Sequence, residues 1–235
     1  MTPQNPRFSY AVSDYPLQDY STGLVAGQTV RFLEQHRDNP FALWVSFPDP
    51  HEPWVAPEQY AAMFPAHKID LPPWPEDEFS SDAPERNRVL YQMLNMEKDD
   101  LDDVYGLMAV YYGMIRFIDD GLGQIIDALE KLGLRENTIV VFCSDHGDFM
   151  GEHRMQCKGG VFYDCLTRVP LIISCPGEIA TGIRDDSMVN LIDVVPTLFQ
   201  LQGIKVPPTM QGQALPTVTS TVSRDATFSE YGAGG

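Results

Sequence analysis

One stretch limits the fold more than any other. Val104, Leu107, Met108, Tyr111, Ile115, Ile118, Leu122, Ile125, Ile126, Leu129 and Leu132 recur at spacings of three and four, and Gly133 follows. This pattern predicts a long helix with one buried face and a glycine stop. Gly106, Gly113, Gly121 and Gly123 predict a bend or break along it. Asp119 and Asp120 read as surface or capping carboxylates. A striped helix needs an apolar surface to cover, and three short runs offer one: Phe41–Phe47, Ile139–Cys143 and Val169–Ser174. They are too short for helices and rich in Val, Ile and Phe, so they read as buried strands. Pro170 puts the third at an edge or at its first residues. Strand, long helix, strand, loop, strand, helix is an α/β order, which predicts a mostly parallel sheet flanked by helices.

The remaining segments fit around that frame. Thr22 to Leu33 carries a second helical pattern, broken at Asn39-Pro40. Pro48-Asp-Pro-His-Glu-Pro53 must be a loop, because its prolines cannot continue a ladder. Residues 65 to 103 are punctuated by prolines, and between Glu76 and Asp103 ten acidic side chains face Arg86, Arg88 and Lys98. That region reads as a solvated surface excursion. A helix is predicted from about Ile192 to Gln202, ending at Gly203, and the chain then turns rich in Pro, Thr and Ser. We divide it into residues 1–206, the main domain, and residues 207–235, a tail leading toward a further subdomain.

Charge excludes some partners. The chain has 16 basic against 33 acidic residues, a net −17. Such a field repels nucleic acid and anionic lipid alike. There is no 18-residue apolar run and no apolar leader-like stretch at the start. The four cysteines, Cys143, Cys157, Cys165 and Cys175, lack Cys-x-x-Cys spacing and are too sparse for a disulfide scaffold. Reduced thiols and a cytoplasmic setting are the expectation.

In open parallel sheets, ligands gather beyond the carboxyl ends of the strands. Ser144-Asp145-His146-Gly147-Asp148 directly follows the second predicted strand and offers one oxygen and one nitrogen ligand side by side. Two adjacent ligands cannot close a metal site alone, and a capping carboxylate beside a surface imidazole is the alternative. His51, just past the first predicted strand, could act as a general acid or anion ligand on a rigid loop, or be incidental there. Lys158, before Gly159-Gly160, could present an ammonium to an anion, although Lys-Gly-Gly alone is weak and lacks the upstream glycine of a phosphate loop.

Several motifs in order resemble one family. Ile139-Val-Val-Phe-Cys-Ser-Asp-His-Gly-Asp-Phe-Met-Gly-Glu-His153, then Lys158, Tyr163 and Arg168-Val-Pro-Leu-Ile172, are similar to a block of the sulfatases in the alkaline phosphatase superfamily. Phe41 to Trp54, Tyr111 to Asp120, Leu191 to Leu198 and Met210 to Leu215 resemble the same family in the same order. The resemblance runs from about Asp19 to Tyr231 and implies part of an alkaline-phosphatase-like sandwich. It also implies a metal-dependent sulfuric ester hydrolase, with a phosphonate or phosphate ester hydrolase of the same superfamily as the alternative. Asp145 and His146 match two metal ligands. His51 and Lys158 match residues that hold the sulfate group and assist the leaving oxygen. The cation implied is calcium, with manganese or zinc open because one ligand is an imidazole. Asp148 and His153 stay open between support for the ligands and plain loop.

The departures from the family are as specific as the match. The nucleophile there is a cysteine, or sometimes a serine, in Cys-x-Pro-Ser-Arg or a similar motif, matured to formylglycine. Cys143 is followed by Ser-Asp-His-Gly, Cys157 by Lys-Gly-Gly-Val, Cys165 by Leu-Thr-Arg-Val and Cys175 by Pro-Gly-Glu-Ile. The family's early Asp-Asp metal pair has no counterpart in residues 1 to 40. Both are expected in an N-terminal half outside this chain, and the family's small C-terminal subdomain would extend beyond Gly235. The expected partners are a small sulfate ester and a complementing chain or oligomer, with no nucleic acid or membrane. A non-catalytic pseudo-enzyme or split-protein partner is the other class of reading. Trp54, Tyr60, Trp74 and Tyr91 are available to stack on a substrate ring, with packing as their expected role.

Overall fold

The computed structural model describes residues 7–73, 76–96, 100–215 and 224–232. It divides into two compact units, residues 1–134 with 148–159 and residues 135–147 with 160–235.

The first unit is organised by the predicted long helix, α4 (Leu101–Lys131 in the chain-order numbering used below), which runs uninterrupted. Val104, Leu107, Met108, Val110, Met114 and Phe117 are buried on it. Its glycines mark close crossings rather than the expected break. A β-carbon on Gly106 would lie 2.3 Å from the Tyr10 hydroxyl, and one on Gly113 would lie 2.8 Å from the Ala61 nitrogen. The helix closes at Gly133 (φ +69°), where Leu134 N–H donates to the Leu129 carbonyl (2.8 Å) and Gly133 N–H to that of Glu130 (3.0 Å). That is the left-handed glycine cap the sequence predicts. Arg116 pairs with Asp119 and, at 2.6 Å, with Asp120, so both carboxylates are surface ion-pair partners.

Packed with α4 in this unit are α1 (Ser21–His36), α2 (Glu58–Ala61) and a parallel strand pair, β1 (Tyr10–Ser13) with β2 (Trp54–Pro57). The register sets Tyr10 opposite Trp54 and Val12 opposite Ala56. Phe8, Tyr10, Trp54, Ala56, Val104, Leu107 and Met150 belong to one buried cluster. The buried Tyr10 hydroxyl donates to Asp103 (3.0 Å). Burial first, then that carboxylate, raises the phenol well above its ordinary pKa. The unit also holds α3 (Glu85–Leu94) and a short antiparallel hairpin, β4 (Phe149–Met150) with β5 (Gln156–Cys157). Helix α3 lies inside the stretch read as an irregular excursion. It has no fully buried residue, so no clean apolar stripe marked it. Its signals were Pro84 at the N-cap and Glu85 in the first turn.

The second unit contains β3 (Val140–Cys143), α5 (Asp164–Thr167), β6 (Leu171–Ser174) and α6 (Val194–Leu201). Strands β3 and β6 pair antiparallel, Val140 opposite Ser174 and Cys143 opposite Leu171. Both lie where strands were predicted, but half-buried rather than buried. The late motifs find a structural use here. Asp193 accepts from the backbone N–H groups of Asn190 (2.8 Å) and Gln213 (2.9 Å) and from both terminal nitrogens of Arg224 (2.6 Å each). Buried Thr197 donates to the Asp193 carbonyl (2.6 Å) and accepts from Leu215 N–H (3.0 Å). The Leu191–Leu198 and Met210–Leu215 motifs are therefore tied to each other.

Two expectations need correction. Among the described residues there are three two-stranded sheets, of which only β1–β2 is parallel, so no large parallel sheet is seen. The run Phe41–Phe47 forms no ladder among the described residues, and its Leu43 and Trp44 are exposed, Trp44 by 88%. An apolar run becomes a buried strand only where a neighbour presents free backbone N–H and C=O groups beside it.

Candidate active site

In the second unit, Asp145 and His146 follow β3 directly. Ser144 Oγ donates to the His146 carbonyl (2.8 Å), and the His146 N–H donates to Asp145 Oδ1 (2.9 Å). These bonds leave Asp145 Oδ2 and His146 Nε2 3.7 Å apart on an exposed loop. His146 Nδ1 lies 3.0 Å from the Gly147 carbonyl, so a proton there leaves Nε2 as the free lone pair. Gly147 is needed for close approach: a β-carbon would fall 1.9 Å from the Cys165 carbonyl, and Gly147 N–H donates to Leu166 (2.9 Å). The donor chemistry fits a divalent cation. A carboxylate oxygen and an imidazole nitrogen 3.7 Å apart can both reach one ion at ordinary bond lengths of about 2.0–2.5 Å. Among the described residues, no group of three or more His, Cys, Asp or Glu is placed to hold a metal.

In the first unit, Asp49 accepts from the hydroxyls of Ser21 (2.8 Å) and Thr22, which anchors the proline-rich loop to the start of α1. His51 is exposed, with Nδ1 2.7 Å from the Glu52 carbonyl. A proton on Nδ1 donated there directs Nε2 outward. Lys158 follows β5, with its ammonium 3.9 Å from Asp148. Beyond it, Gly159 sits against α3, where a β-carbon would meet Leu90 at 2.4 Å. The segments that carry His51 and Lys158 touch one residue away from each, where Cys157 Sγ donates to Glu52 Oε2 at 3.5 Å. Burial, then the charge of Glu52 and its hydrogen bond, push the Cys157 thiol up to about 12, with Asp148 adding and Lys158 opposing.

The open positions now have partners. Asp148 is the ion-pair partner of Lys158. His153 Nδ1 meets Glu78 Oε1 at 2.5 Å. Sequence reasoning missed Glu52 and Cys157, whose signal was adjacency, each being one residue from a candidate. It also missed Tyr111 as a neighbour of the hairpin. Burial, then Asp148 and Glu152, raises this phenol above its ordinary pKa. Trp54 is buried, Tyr60 stacks on Phe117 and Tyr91 on Phe79, so these three pack as expected. Trp74 lies outside the described residues.

Known proteins are similar to this chain in fold and in sequence. A phosphonate monoester hydrolase from Silicibacter pomeroyi matches with a TM-score of 0.79 and 26% identity, over 91% of this chain and 44% of its own. The phosphonate monoester hydrolase of Agrobacterium radiobacter matches with a TM-score of 0.75 and 28% identity, over 92% and 45%. The fold is thus alkaline-phosphatase-like, shared with ester hydrolases. In sequence, the uncharacterized sulfatase YidJ of Escherichia coli (strain K12) is 33% identical over 210 residues, 88% of this chain and 41% of its own. The choline-sulfatase of Rhizobium meliloti (strain 1021) is 30% identical over 227 residues, 92% and 43%. The sulfatase family matches residues 2–204, and the chain belongs to that family. It spans less than half the length of these relatives.

Proposed function

We propose that this chain carries part of the active site of a metal-dependent sulfuric ester hydrolase. The observation that supports this best is the Glu52–Cys157 contact, which joins the two segments of the first unit that carry His51 and Lys158, the residues that the family resemblance matches to sulfate handling. The Lys158 ammonium faces the non-bridging oxygens and offsets the charge that builds on them in the transition state. In its doubly protonated form, His51 would keep its Nδ1 proton at the Glu52 carbonyl, give its Nε2 proton to the leaving oxygen as the sulfur–oxygen bond breaks, and be left as the neutral ring. Asp145 and His146 hold the cation, for which calcium is the first choice and manganese or zinc the others. A divalent cation held there would supply Lewis-acid polarisation of an ester oxygen. The family resemblance implies that the remaining ligands and an attacking formylglycine are supplied by a complementing polypeptide. A sulfate ester is the substrate, and a complementing polypeptide the partner.

The phosphonate ester reading is favoured by one observation, the fold match to two phosphonate monoester hydrolases. Relative turnover of 4-nitrophenyl sulfate and 4-nitrophenyl phenylphosphonate by the completed protein separates the two readings. The metal assignment is tested by titrating this chain and Asp145→Ala with Ca2+ and Mn2+. Asp145→Ala should lose binding, and normal occupancy in that variant would show that Asp145 is not a ligand. In the completed protein, Lys158→Ala should lower turnover with the metal retained.

A further inference from the structure

The contact between Glu52 and Cys157 carries an inference of its own. The two segments it joins are each anchored elsewhere in the first unit. The loop is held at Asp49 by Ser21 and Thr22, and the chain after Lys158 is seated on Leu90 through Gly159. Between these anchors, the thiol and the carboxylate meet at 3.5 Å. Cys157 adopts φ +62°, a left-handed conformation that disfavours a residue with a β-carbon and persists where the surroundings hold it. The thiol lies near enough to Asp148 and Lys158 to feel both charges. It is a neutral donor, so it can satisfy Glu52 without adding charge beside the Lys158 ammonium.

We propose that Cys157 and Glu52 are positioning residues, and that the thiol–carboxylate contact sets His51 against Lys158 so that both address one tetrahedral anion. The inference rests on the assignment of those two residues made above. Without the contact, the loop and the hairpin end would stay folded on their own anchors, but His51 and Lys158 would no longer be in register with each other.

The test titrates the isotopically labelled full chain with inorganic sulfate, reading the His51 ring and the Lys158 side chain by NMR. In the parent sequence and in Cys157→Ser, which retains a donor, both signals should move with one half-saturation concentration. In Cys157→Gly and Glu52→Gln, sulfate affinity should fall about tenfold and the two responses should separate. Cys157→Gly is the decisive variant, since glycine suits φ +62° and the unfolding temperature should hold or rise while the thiol is lost. Sulfate affinity unchanged in Cys157→Gly, with the two signals still moving together, would overturn the proposal. The contact itself is read separately by the rate of Cys157 alkylation with iodoacetamide, which should rise at least about threefold in Glu52→Gln as the thiol becomes more acidic. No common sulfate response in the parent chain would overturn the assignment of His51 and Lys158, and the positioning role with it. The alkylation result would then still report whether the thiol and carboxylate touch.

Discussion

Replacing Arg224 with alanine should unfold the second unit more easily than any surface charge change of the same size. Asp193 has only 2% of its side chain exposed, whereas Arg224 has 23%. The carboxylate accepts two bonds of 2.6 Å from the guanidinium and one each from the Asn190 and Gln213 N–H groups. Removing one partner of a buried pair costs about 3–5 kcal/mol, because the other charge stays buried and uncompensated. Two backbone donors remain and the arginine is partly solvated, so about 3 kcal/mol is expected. With a urea slope of about 1–3 kcal/mol per molar, the unfolding midpoint should drop by about 1–3 M.

Acidity supplies a second, independent signature. Burial pushes the Asp193 carboxyl up, but hydrogen bonds from Arg224, Gln213 and Asn190 outweigh it and hold the group below the usual carboxylate range. A depressed folded-state value means the stabilisation is complete above the unfolded pKa of about 3.9 and is lost as pH falls through the folded one. In Arg224→Ala, burial remains without the guanidinium, so the carboxyl titrates higher. The stability gap between parent and variant should be widest near neutrality and should close on acidification. Urea unfolding read by hydrogen exchange of peptides covering residues 194–201 and 210–215 measures it. A gap under about 1 kcal/mol at pH 7, or one that is the same at pH 3, would refute the reasoning.

The helix glycines should separate by what surrounds them. Gly123, with nothing within 4 Å of a built β-carbon, should gain about 1 kcal/mol as alanine, whereas Gly106→Ala should lose about 1–3 kcal/mol against the Tyr10 ring; thermal unfolding checks both. In a Trp74→Phe background, Trp44 should account for most of the iodide-quenchable tryptophan fluorescence relative to buried Trp54, and a Trp44→Phe change there that leaves quenching as strong would contradict its exposure. Tyr10→Phe should cost about 1–2 kcal/mol through the lost bond to Asp103, measured by chemical denaturation.

The elements that were legible in the sequence are those that carry their own reason to form. Helix α4 has a long stripe and a glycine cap, and α1 and α6 have shorter versions of the same signal. What could not be read is which strands become neighbours. Val140–Cys143 and Leu171–Ser174 were recognisable as extended, yet nothing in their composition distinguishes an antiparallel pair from two members of a parallel sheet. Strand β1, Tyr-Ala-Val-Ser, is shorter than any pattern test and exists because Trp54–Pro57 pairs with it. Phe41–Phe47 shows the converse, a run with strand-forming Phe, Trp and Val and no ladder among the described residues.

The candidate site divides along the same line. His51, Asp145, His146 and Lys158 stood out because their residue types and motif matches mark chemistry. Glu52, Cys157 and Asp49 did not, because their roles arise from contacts across 105 residues in one case and 27 or 28 in the other. A carboxylate in a proline-rich loop and a cysteine before a lysine are each unremarkable alone. Together they join two segments of the first unit that are distant in sequence. The metal half poses the same problem in a harder form. Asp145 and His146 are adjacent in sequence and in space, which makes them easy to find but leaves two candidate donors where an ion takes four or more. If the chain alone bound calcium tightly, the remaining ligands would have to be water and backbone carbonyls at that loop. If binding appeared only with a complementing polypeptide, the other ligands would be side chains of that partner, and metal affinity would become a direct assay for its docking.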